Sequence, residues 1–153
     1  MTKRILFLCT GNSARSQMAE ALLPLIAGDH FEVASAGTHP VCVNPITVEV
    51  MKELGVDVTG QRSKSVQEFT GEQFDYVITV CDRARETCPI FPSVFRVLHW
   101  SFDDPAAAPS AERLDVFRRV RDEIADRLCQ FVLEENLLPP GMLNCYRCDP
   151  FGQ

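Results

Sequence analysis

A cysteine and an arginine six positions apart lie near the start of the chain, in a short segment with the composition of an oxyanion-binding loop. Gly11 and Asn12 lie between them and tolerate the left-handed backbone angles that a tight loop requires. A loop that leads into a helix can point several backbone N–H groups at one centre. The arginine adds a planar fork of donors that suits two oxygens of a tetrahedral oxyanion. The segment has the form C-x5-R-S and consists of Cys9, Thr10, Gly11, Asn12, Ser13, Ala14, Arg15 and Ser16.

The thiol at the mouth of this loop is predicted to be a nucleophile. The helix dipole, the loop N–H groups and the Arg15 guanidinium all favour a thiolate, so we expect a lowered pKa for Cys9. The Ser16 hydroxyl could also donate to the sulfur. The alternative is a buried strand cysteine followed by an unrelated surface arginine, and a C-x5-R match alone is a weak signal. The serine that follows and the strand–turn–helix context favour the functional interpretation.

Two more cysteines follow the third predicted strand and could exchange disulfides. Cys88 lies seven residues after Cys81, across an almost entirely polar stretch. If that stretch is helical, the two Cα atoms are roughly 10 Å apart, whereas a disulfide needs them within about 7 Å. Forming it would require the stretch to open, which is inexpensive for a segment that contributes little to the core. The alternative is two core cysteines, because free cysteine is often buried.

An acidic pair precedes a proline after the fourth predicted strand. The sequence there is Asp103-Asp104-Pro105. A carboxyl group beside a bound oxyanion could donate a proton to a departing oxygen. The alternative is that both aspartates cap a turn ahead of the proline, as Asp commonly does. On the residues alone the two interpretations remain open.

Composition limits the class of protein and its compartment. The 153 residues are 46% hydrophobic and 24% charged, with a net charge of -6, which is ordinary for a globular protein and excludes a basic nucleic-acid-binding surface. The first apolar run is too short for a signal peptide or a membrane span. Seven cysteines without a secretory signal argue against a structural disulfide framework and for the reducing cytoplasm.

Strand and helix patterns alternate along the chain. Continuous apolar runs predict strands at 4–8, 31–35, 74–80 and 94–98. Helical periodicity predicts helices at 18–26, 44–54 and from about 110 to Pro139. We therefore expect an α/β fold, a single-domain three-layer sandwich with a four-stranded parallel sheet and helices on both faces. This domain spans 1–138, and 139–153 form a tail. Ligands bind at the carboxyl ends of such strands, where Cys9, Cys81 and the acidic pair begin.

Some polar and sulfur-containing residues carry no predicted role in catalysis. Cys42 and Cys129 are interpreted as structural or incidental, and Lys64 receives no role. The tail contains a C-x-x-C pair, Cys145 and Cys148, which could exchange disulfides or bind a soft metal or metalloid. Because chain termini are usually poorly ordered, we expect the tail to be inert.

Residues 6–20, with the sequence LFLCTGNSARSQMAE, resemble the opening of the low-molecular-weight protein tyrosine phosphatase superfamily. More narrowly they resemble the arsenate reductases built on that fold, and the Ser35-Ala36-Gly37 and Val43-Asn44-Pro45 segments match the same branch. The phosphatase branch usually has aromatic residues in the next loop to hold a phenyl ring. This chain has THPVC at 38–42, which disfavours a tyrosine-phosphate substrate.

The resemblance implies a mechanism and its partners. Residues 10–15 would hold arsenate, Cys9 would attack it, and Asp104 would be the general acid, with Asp103 as second candidate. A relay through Cys9, Cys81 and Cys88 would end on a thioredoxin-like reductant. Phosphate would compete, no metal or organic cofactor would be needed, and the protein would be a cytoplasmic monomer. Two alternatives stay open: a low-molecular-weight protein tyrosine phosphatase, and a non-enzymatic oxyanion or metalloid sensor.

Overall fold

The computed structural model describes residues 2–91 and 94–146. Within these ranges, four parallel strands alternate with four α-helices, and the strand order is β2-β1-β3-β4. The predicted four-stranded parallel sheet is therefore confirmed. The strands are β1 (Lys3–Cys9), β2 (Phe31–Gly37), β3 (Tyr76–Thr79) and β4 (Arg96–His99), and the α-helices are α1 (Arg15–Ala27), α2 (Pro45–Lys52), α3 (Asp82–Glu86) and α4 (Arg113–Glu134). Short 3-10 helices are Val66–Phe69, Pro105–Ala107 and Pro140–Met142.

Local signals place most helix and strand boundaries within a few residues. The predicted cap of α2 is present, because the Asn44 side chain accepts the Ile46 N–H at 2.9 Å and Pro45 occupies the first turn. The third and fourth strands differ from the predicted 74–80 and 94–98, because the pairing that runs from Tyr76 to Thr79 decides where β4 begins and ends. Among the described residues, no helix has the length and apolar composition needed to cross a membrane.

The central strand β1 forms the middle of the core. Its residues from Ile5 to Leu8 are fully buried although successive side chains point to opposite faces, so both faces of the sheet are covered. The chain moves from β1 to β2 on one side and from β2 to β3 on the other, which makes the carboxyl end of β1 a topological switch point. The register pairs Leu8 with Thr79 and brings Cys9 towards Cys81.

The described part of the C-terminal tail packs against the body of the protein. Cys145 forms a disulfide with Cys129 of α4, with the Cα atoms 6.2 Å apart. The Asn144 N–H donates to the Ile26 carbonyl at 2.7 Å, and the Tyr146 hydroxyl donates to Asp122 at 2.9 Å. The expectation of a poorly ordered tail is therefore wrong for residues 139–146, and one disulfide is present although the cysteine count argued against a framework of them. Cys148 lies outside the described residues.

Candidate active site

The loop between β1 and α1 turns its carbonyl groups away from its concave side. The next loop along the chain, which follows β2, runs alongside it and donates backbone N–H groups to those carbonyls. The pairs are Thr38 to Cys9 at 3.1 Å, His39 to Thr10 at 2.8 Å, Val41 to Gly11 at 3.0 Å and Asn44 to Ser13 at 3.1 Å. With the carbonyls engaged outside the loop, its own N–H groups remain available on the concave side for an anion.

Asn12 holds the strained point of this loop. Its φ is +48°, the left-handed conformation that the sequence indicated for this segment, and its side chain is fully buried. The Asn12 amide nitrogen donates to the Ser16 hydroxyl at 2.8 Å and to the Ser35 hydroxyl at 2.9 Å. Its amide oxygen accepts the Lys64 backbone N–H at 2.9 Å. Asparagine therefore supplies both the conformation and the bonds that keep it.

Gly37, at the end of β2, allows the loop to pass close to the sheet. A Cβ atom at this position would lie 2.6 Å from the Thr10 carbonyl oxygen and 3.0 Å from the Asn12 backbone nitrogen. Only glycine fits without moving the loop. The sequence showed Gly37 as part of a resembling segment, but the contact that requires glycine depends on strand pairing between β1 and β2.

Lys64 and Glu20 hold the Asn12 side chain, Lys64 through its backbone N–H and Glu20 through the Ser35 hydroxyl. The two side chains are mostly buried and lie 3.5 Å apart, and Glu20 accepts the Ser35 hydroxyl at 3.0 Å. Because Ser35 donates to the carboxylate, its oxygen is free to accept from Asn12. Sequence reasoning missed this group: Glu20 and Ser35 were noted only as parts of resembling segments, and nothing in the sequence shows that they meet Lys64 beneath Asn12.

The start of α1 is open towards the loop. Its N-cap residue, Ala14, has no side chain that could accept the first N–H groups, and the first turn has no acidic residue. These donors and the helix dipole are therefore available to an anion. Arg15 lies at the same place, and its Nη1 donates to the Phe102 carbonyl at 3.1 Å, which orients the guanidinium. A cavity of about 480 Å³ is lined by Cys9, Thr10, Gly11, Ser13, Ala14, Arg15, Val41, Cys81, Asp82, Arg83, Asp104 and Ala106.

Two cysteine sulfurs meet at the bottom of this cavity. The Cys9 sulfur accepts the Asn12 N–H at 3.2 Å and the Ser16 hydroxyl at 3.2 Å. The Cys81 thiol interacts directly with Cys9, and its sulfur lies 3.3 Å from the Thr10 hydroxyl. The structure thus brings together two of the predicted relay cysteines, which are 72 positions apart in the sequence.

The two thiols share one negative charge. The hydrogen bond from Cys9, helped by the Thr10 hydroxyl, the Ala84 N–H and the charge of Arg15, lowers the pKa of Cys81 to about 5. Contact with Cys81 and burial raise the pKa of Cys9, although Ser16 and Arg15 act in the opposite direction. The expectation of a lowered pKa for Cys9 itself is therefore wrong in this arrangement, because two adjacent sulfurs cannot both ionise easily. The low pKa belongs to the pair.

Cys88 lies apart from this pair. The intervening segment is helical from Asp82 to Glu86, and Cys88 is not among the residues that line the cavity. Its thiol is half-buried and donates to the Pro89 carbonyl at 3.5 Å, and burial raises its pKa. The two arginines of α3, Arg83 and Arg85, do not offset this effect. The structure does not bring Cys88 to Cys81.

The two candidate acids point in different directions. Asp104 lines the cavity, and one of its carboxylate oxygens also caps the following 3-10 helix by accepting the Ala106 N–H at 3.0 Å. Asp103 instead forms an ion pair with Arg119 of α4 at 3.0 Å and is not part of the cavity lining. Both functions considered for the acidic pair are thus compatible with Asp104, whereas Asp103 is turned away from the site.

This fold and loop define a known class of protein. The family described as "Low molecular weight phosphotyrosine protein phosphatase" matches residues 4–138. The chain belongs to that family.

Within the family, the chain is similar to arsenate reductases. An arsenate reductase of Halalkalibacterium halodurans is 46% identical over 134 residues, which are 86% of this chain and 96% of the relative. A solved arsenate reductase in the phosphate binding state has a TM-score of 0.72 at 29% identity, covering 87% of this chain and 98% of that one. A thioredoxin-dependent arsenate reductase of Corynebacterium glutamicum has a TM-score of 0.64 at 28% identity, covering 87% of this chain and 63% of that one.

Proposed function

We propose that this protein reduces arsenate to arsenite with its own cysteines. One observation carries the proposal: a second thiol, Cys81, lines the same cavity as Cys9, and its sulfur lies 3.3 Å from the hydroxyl of Thr10, the residue directly after Cys9. Hydrolysis of a phosphate ester needs one sulfur and a water molecule, whereas reduction of As(V) needs a second sulfur to complete a disulfide. The similarity to arsenate reductases over most of both chains supports the same activity.

The first step is covalent binding of arsenate. The oxyanion occupies the concave side of the loop, where backbone N–H groups and Arg15 hold its oxygens. The Cys9 sulfur attacks arsenic as a thiolate, and Asp104 gives its proton to the departing oxygen, which leaves as water. An S–As bond now joins the enzyme to arsenic in the +5 state. Phosphate has the same geometry and competes for the site.

The second step transfers two electrons to arsenic. The Cys81 thiolate attacks the Cys9 sulfur, the Cys9–Cys81 disulfide forms, and the electron pair of the S–As bond goes to arsenic. Arsenic leaves as arsenite in the +3 state. Then the Cys88 thiolate attacks the Cys81 sulfur, Cys9 is released as a thiolate, and a Cys81–Cys88 disulfide remains.

The last step requires an external dithiol. We propose a thioredoxin-like protein, because a solved relative with this fold is named as thioredoxin-dependent. A thioredoxin-like partner implies a reducing compartment, so we also propose that the protein works in the cytoplasm. We propose separately that it works as a monomer. No metal or organic cofactor takes part in these steps.

A tyrosine phosphatase activity is the second candidate, because the family match includes such enzymes. The described lining of the cavity contains Val41 and Ala106 but no aromatic side chain that could hold a phenyl ring. This composition favours a small inorganic oxyanion over an aryl phosphate. We therefore expect aryl-phosphate hydrolysis to be weak.

The test is arsenate-dependent NADPH oxidation with thioredoxin and thioredoxin reductase, compared with hydrolysis of an aryl phosphate. Wild type, Cys88→Ser and the control Cys42→Ser, which changes an exposed free cysteine, are run in parallel. We expect turnover in wild type and Cys42→Ser, and one equivalent of arsenite in Cys88→Ser. Aryl-phosphate hydrolysis insensitive to Cys88→Ser, without arsenate turnover under any thiol, would identify a phosphatase. Arsenate binding without turnover that survives Asp104→Asn would identify a sensor.

A further inference from the structure

A chain of three polar side chains ties the start of α3 to the sheet. Thr79 and His99 are register partners on β3 and β4. The Thr79 hydroxyl lies 2.8 Å from His99 Nδ1, and His99 Nε2 lies 3.0 Å from a carboxylate oxygen of Asp82. Thr79 is 1% exposed and belongs to a central strand, so it is a rigid support. Asp82 is the residue directly after Cys81.

The contact between His99 and Asp82 does not depend on the charge of the histidine. In the neutral ring, the Thr79 hydroxyl donates to Nδ1 and the Nε2–H donates to Asp82. In the protonated ring, Nδ1–H donates to Thr79, whose hydroxyl can turn to the Leu98 carbonyl 3.4 Å away, and Nε2–H still donates to Asp82. Both forms satisfy every group in the chain, so the link persists in each.

The proposed relay makes two opposed demands on α3. Cys81 is the N-cap residue of α3, so its position beside Thr10 and Cys9 depends on an intact first turn. Transfer to Cys88 requires the helix to open, because a helical segment keeps the two cysteines too far apart for a disulfide. Both demands can be met only if the opening is confined to the far end of the helix.

The contacts of α3 fit an opening that is confined to the far end of the helix, because the two ends are held differently. Its first turn is held by His99 and by the Arg85 N–H, which donates to the Cys81 carbonyl at 3.2 Å. Ala84 is its one buried side chain. Beyond it, the far end is closed by bonds from Thr87 to the Arg83 carbonyl, at 3.2 Å from the N–H and 3.0 Å from the hydroxyl. These bonds stay within the segment and open at low cost, whereas the bond from His99 to Asp82, although also exposed to solvent, ties the first turn to β4.

We propose that His99 is a positioning residue for the relay: by holding Asp82, it keeps Cys81 in attacking position while the far end of α3 opens. The proposal rests on the proposed arsenate reduction, because it assigns a role in the second of its steps. His99 touches neither the oxyanion nor a reacting sulfur, and it acts through the first turn of the helix.

Two substitutions of matched chemistry separate positioning from mere stability. His99→Asn places an amide nitrogen near the position of Nδ1, where it reaches Thr79 but not Asp82. His99→Gln extends the amide nitrogen towards the position of Nε2 and can keep the bond to Asp82. In a Cys88→Ser background, arsenite release in a single turnover reports the reaction up to and including the attack of Cys81, without the transfer to Cys88. We expect it to fall by about tenfold in His99→Asn, the size of one lost hydrogen bond to a charged group.

The same experiment contains its own controls. His99→Gln is expected to recover most of the rate, and the KM for arsenate should stay unchanged in both variants because the anion loop is not altered. Equal rates in His99→Asn and the parent would overturn the proposal. So would equal slowing by both substitutions accompanied by the same drop in melting temperature, because that pattern belongs to a general loss of stability.

Backbone hydrogen exchange tests the proposal independently of arsenate. The Arg85 amide reports the first turn, and the Thr87 amide reports the far end. In His99→Asn we expect the Arg85 amide to lose protection while the Thr87 amide does not change, and His99→Gln should restore protection. If wild type releases no arsenite but this pattern is found, the proposed function fails and the anchoring role remains. If the Arg85 amide is unaffected, the anchoring role fails whatever the enzyme does with arsenate.

Discussion

The oxyanion loop and the start of α3 both line one cavity but are held in very different ways. Around the loop, carbonyls of residues 9–13 accept hydrogen bonds from elsewhere, and Asn12 and Ser16 are fully buried. In α3, Ala84 is the one buried side chain and the helix is five residues long. The difference follows from the chemistry proposed for each. A site that stabilises developing charge works best when it is preorganised, whereas a relay must move one sulfur to another.

The oxyanion loop, residues 9–16, is the rigid wall of the cavity, and α3 is its mobile wall. The largest effect should come from substituting Cys9, the sulfur of the rigid wall. Cys9→Ser removes the nucleophile while Arg15 and the loop N–H groups remain. We expect arsenate turnover to fall by about 10³-fold or more, with phosphate still bound. Turnover is measured by coupled NADPH oxidation and phosphate binding by calorimetry. Cys42→Ser is the control and should behave as wild type. Substantial turnover in Cys9→Ser would move the chemistry away from the loop.

The pH dependence of thiol reactivity should distinguish the Cys9–Cys81 pair from Cys88, which lies beyond α3 and outside the cavity. The thiolate fraction rises as pH increases through the pKa, and the Cys9–Cys81 pair has a member whose pKa is about 5. Burial raises the pKa of Cys88. At pH 6.5 we therefore expect iodoacetamide to alkylate one cysteine of the pair on the order of 100 times faster than it alkylates Cys88. Peptide mass spectrometry follows both reactions. The alkylation rate of the pair should decrease only as pH falls towards 5. Faster modification of Cys88 would contradict the comparison.

Gly37→Ala is the sharpest way to disturb the rigid wall. The added Cβ would lie 2.6 Å from the Thr10 carbonyl oxygen, and the loop must shift. We expect the free energy of unfolding to fall by about 2–3 kcal/mol, with weaker phosphate binding, measured by urea denaturation and calorimetry. Gly60→Ala is the matched control because nothing lies within 4 Å of its Cβ position. Equal effects of the two substitutions would mean that the loop is more adaptable than its contacts indicate.

The smallest expected effect tests the mobile wall. Arg85→Gly, compared with Arg85→Ala, lowers helix propensity at an exposed position by about 1 kcal/mol. If opening of α3 limits the exchange from Cys81 to Cys88, formation of the second disulfide should become roughly fivefold faster in the glycine variant. Quenched-flow alkylation after one turnover measures this rate. A slower exchange in Arg85→Gly would show that an intact helix, and not its opening, is required.

The difference between the walls also explains which parts of the site could be predicted. The loop residues from Cys9 to Ser16 are consecutive, so their spacing alone indicated an anion site, and alternating apolar runs indicated the parallel sheet. The separation of Asp103 from Asp104 was not predictable, because it depends on Arg119 of α4. The same is true of Lys64, which has a partner only because a helix and a loop meet beneath Asn12.

The tail shows the same limit. A C-x-x-C motif drew attention to Cys145 and Cys148 as a pair, but Cys145 is bonded to Cys129, sixteen residues earlier. No local pattern contains this pairing, since it depends on where the chain turns back after α4. The bonds from Asn144 and Tyr146 to the helices create that position.

By itself, the sequence determined the order of the four strands and of three of the four α-helices, and it indicated the oxyanion loop, because backbone periodicity and loop geometry are properties of neighbouring residues. The tertiary structure decided which second sulfur joins Cys9 in the cavity, that the low pKa belongs to this pair of thiols, and why position 37 must be glycine. Each of these depends on distances between segments far apart in the chain. Proton sharing, burial and steric contact change steeply with such distances. The distances themselves are set only by strand register and packing.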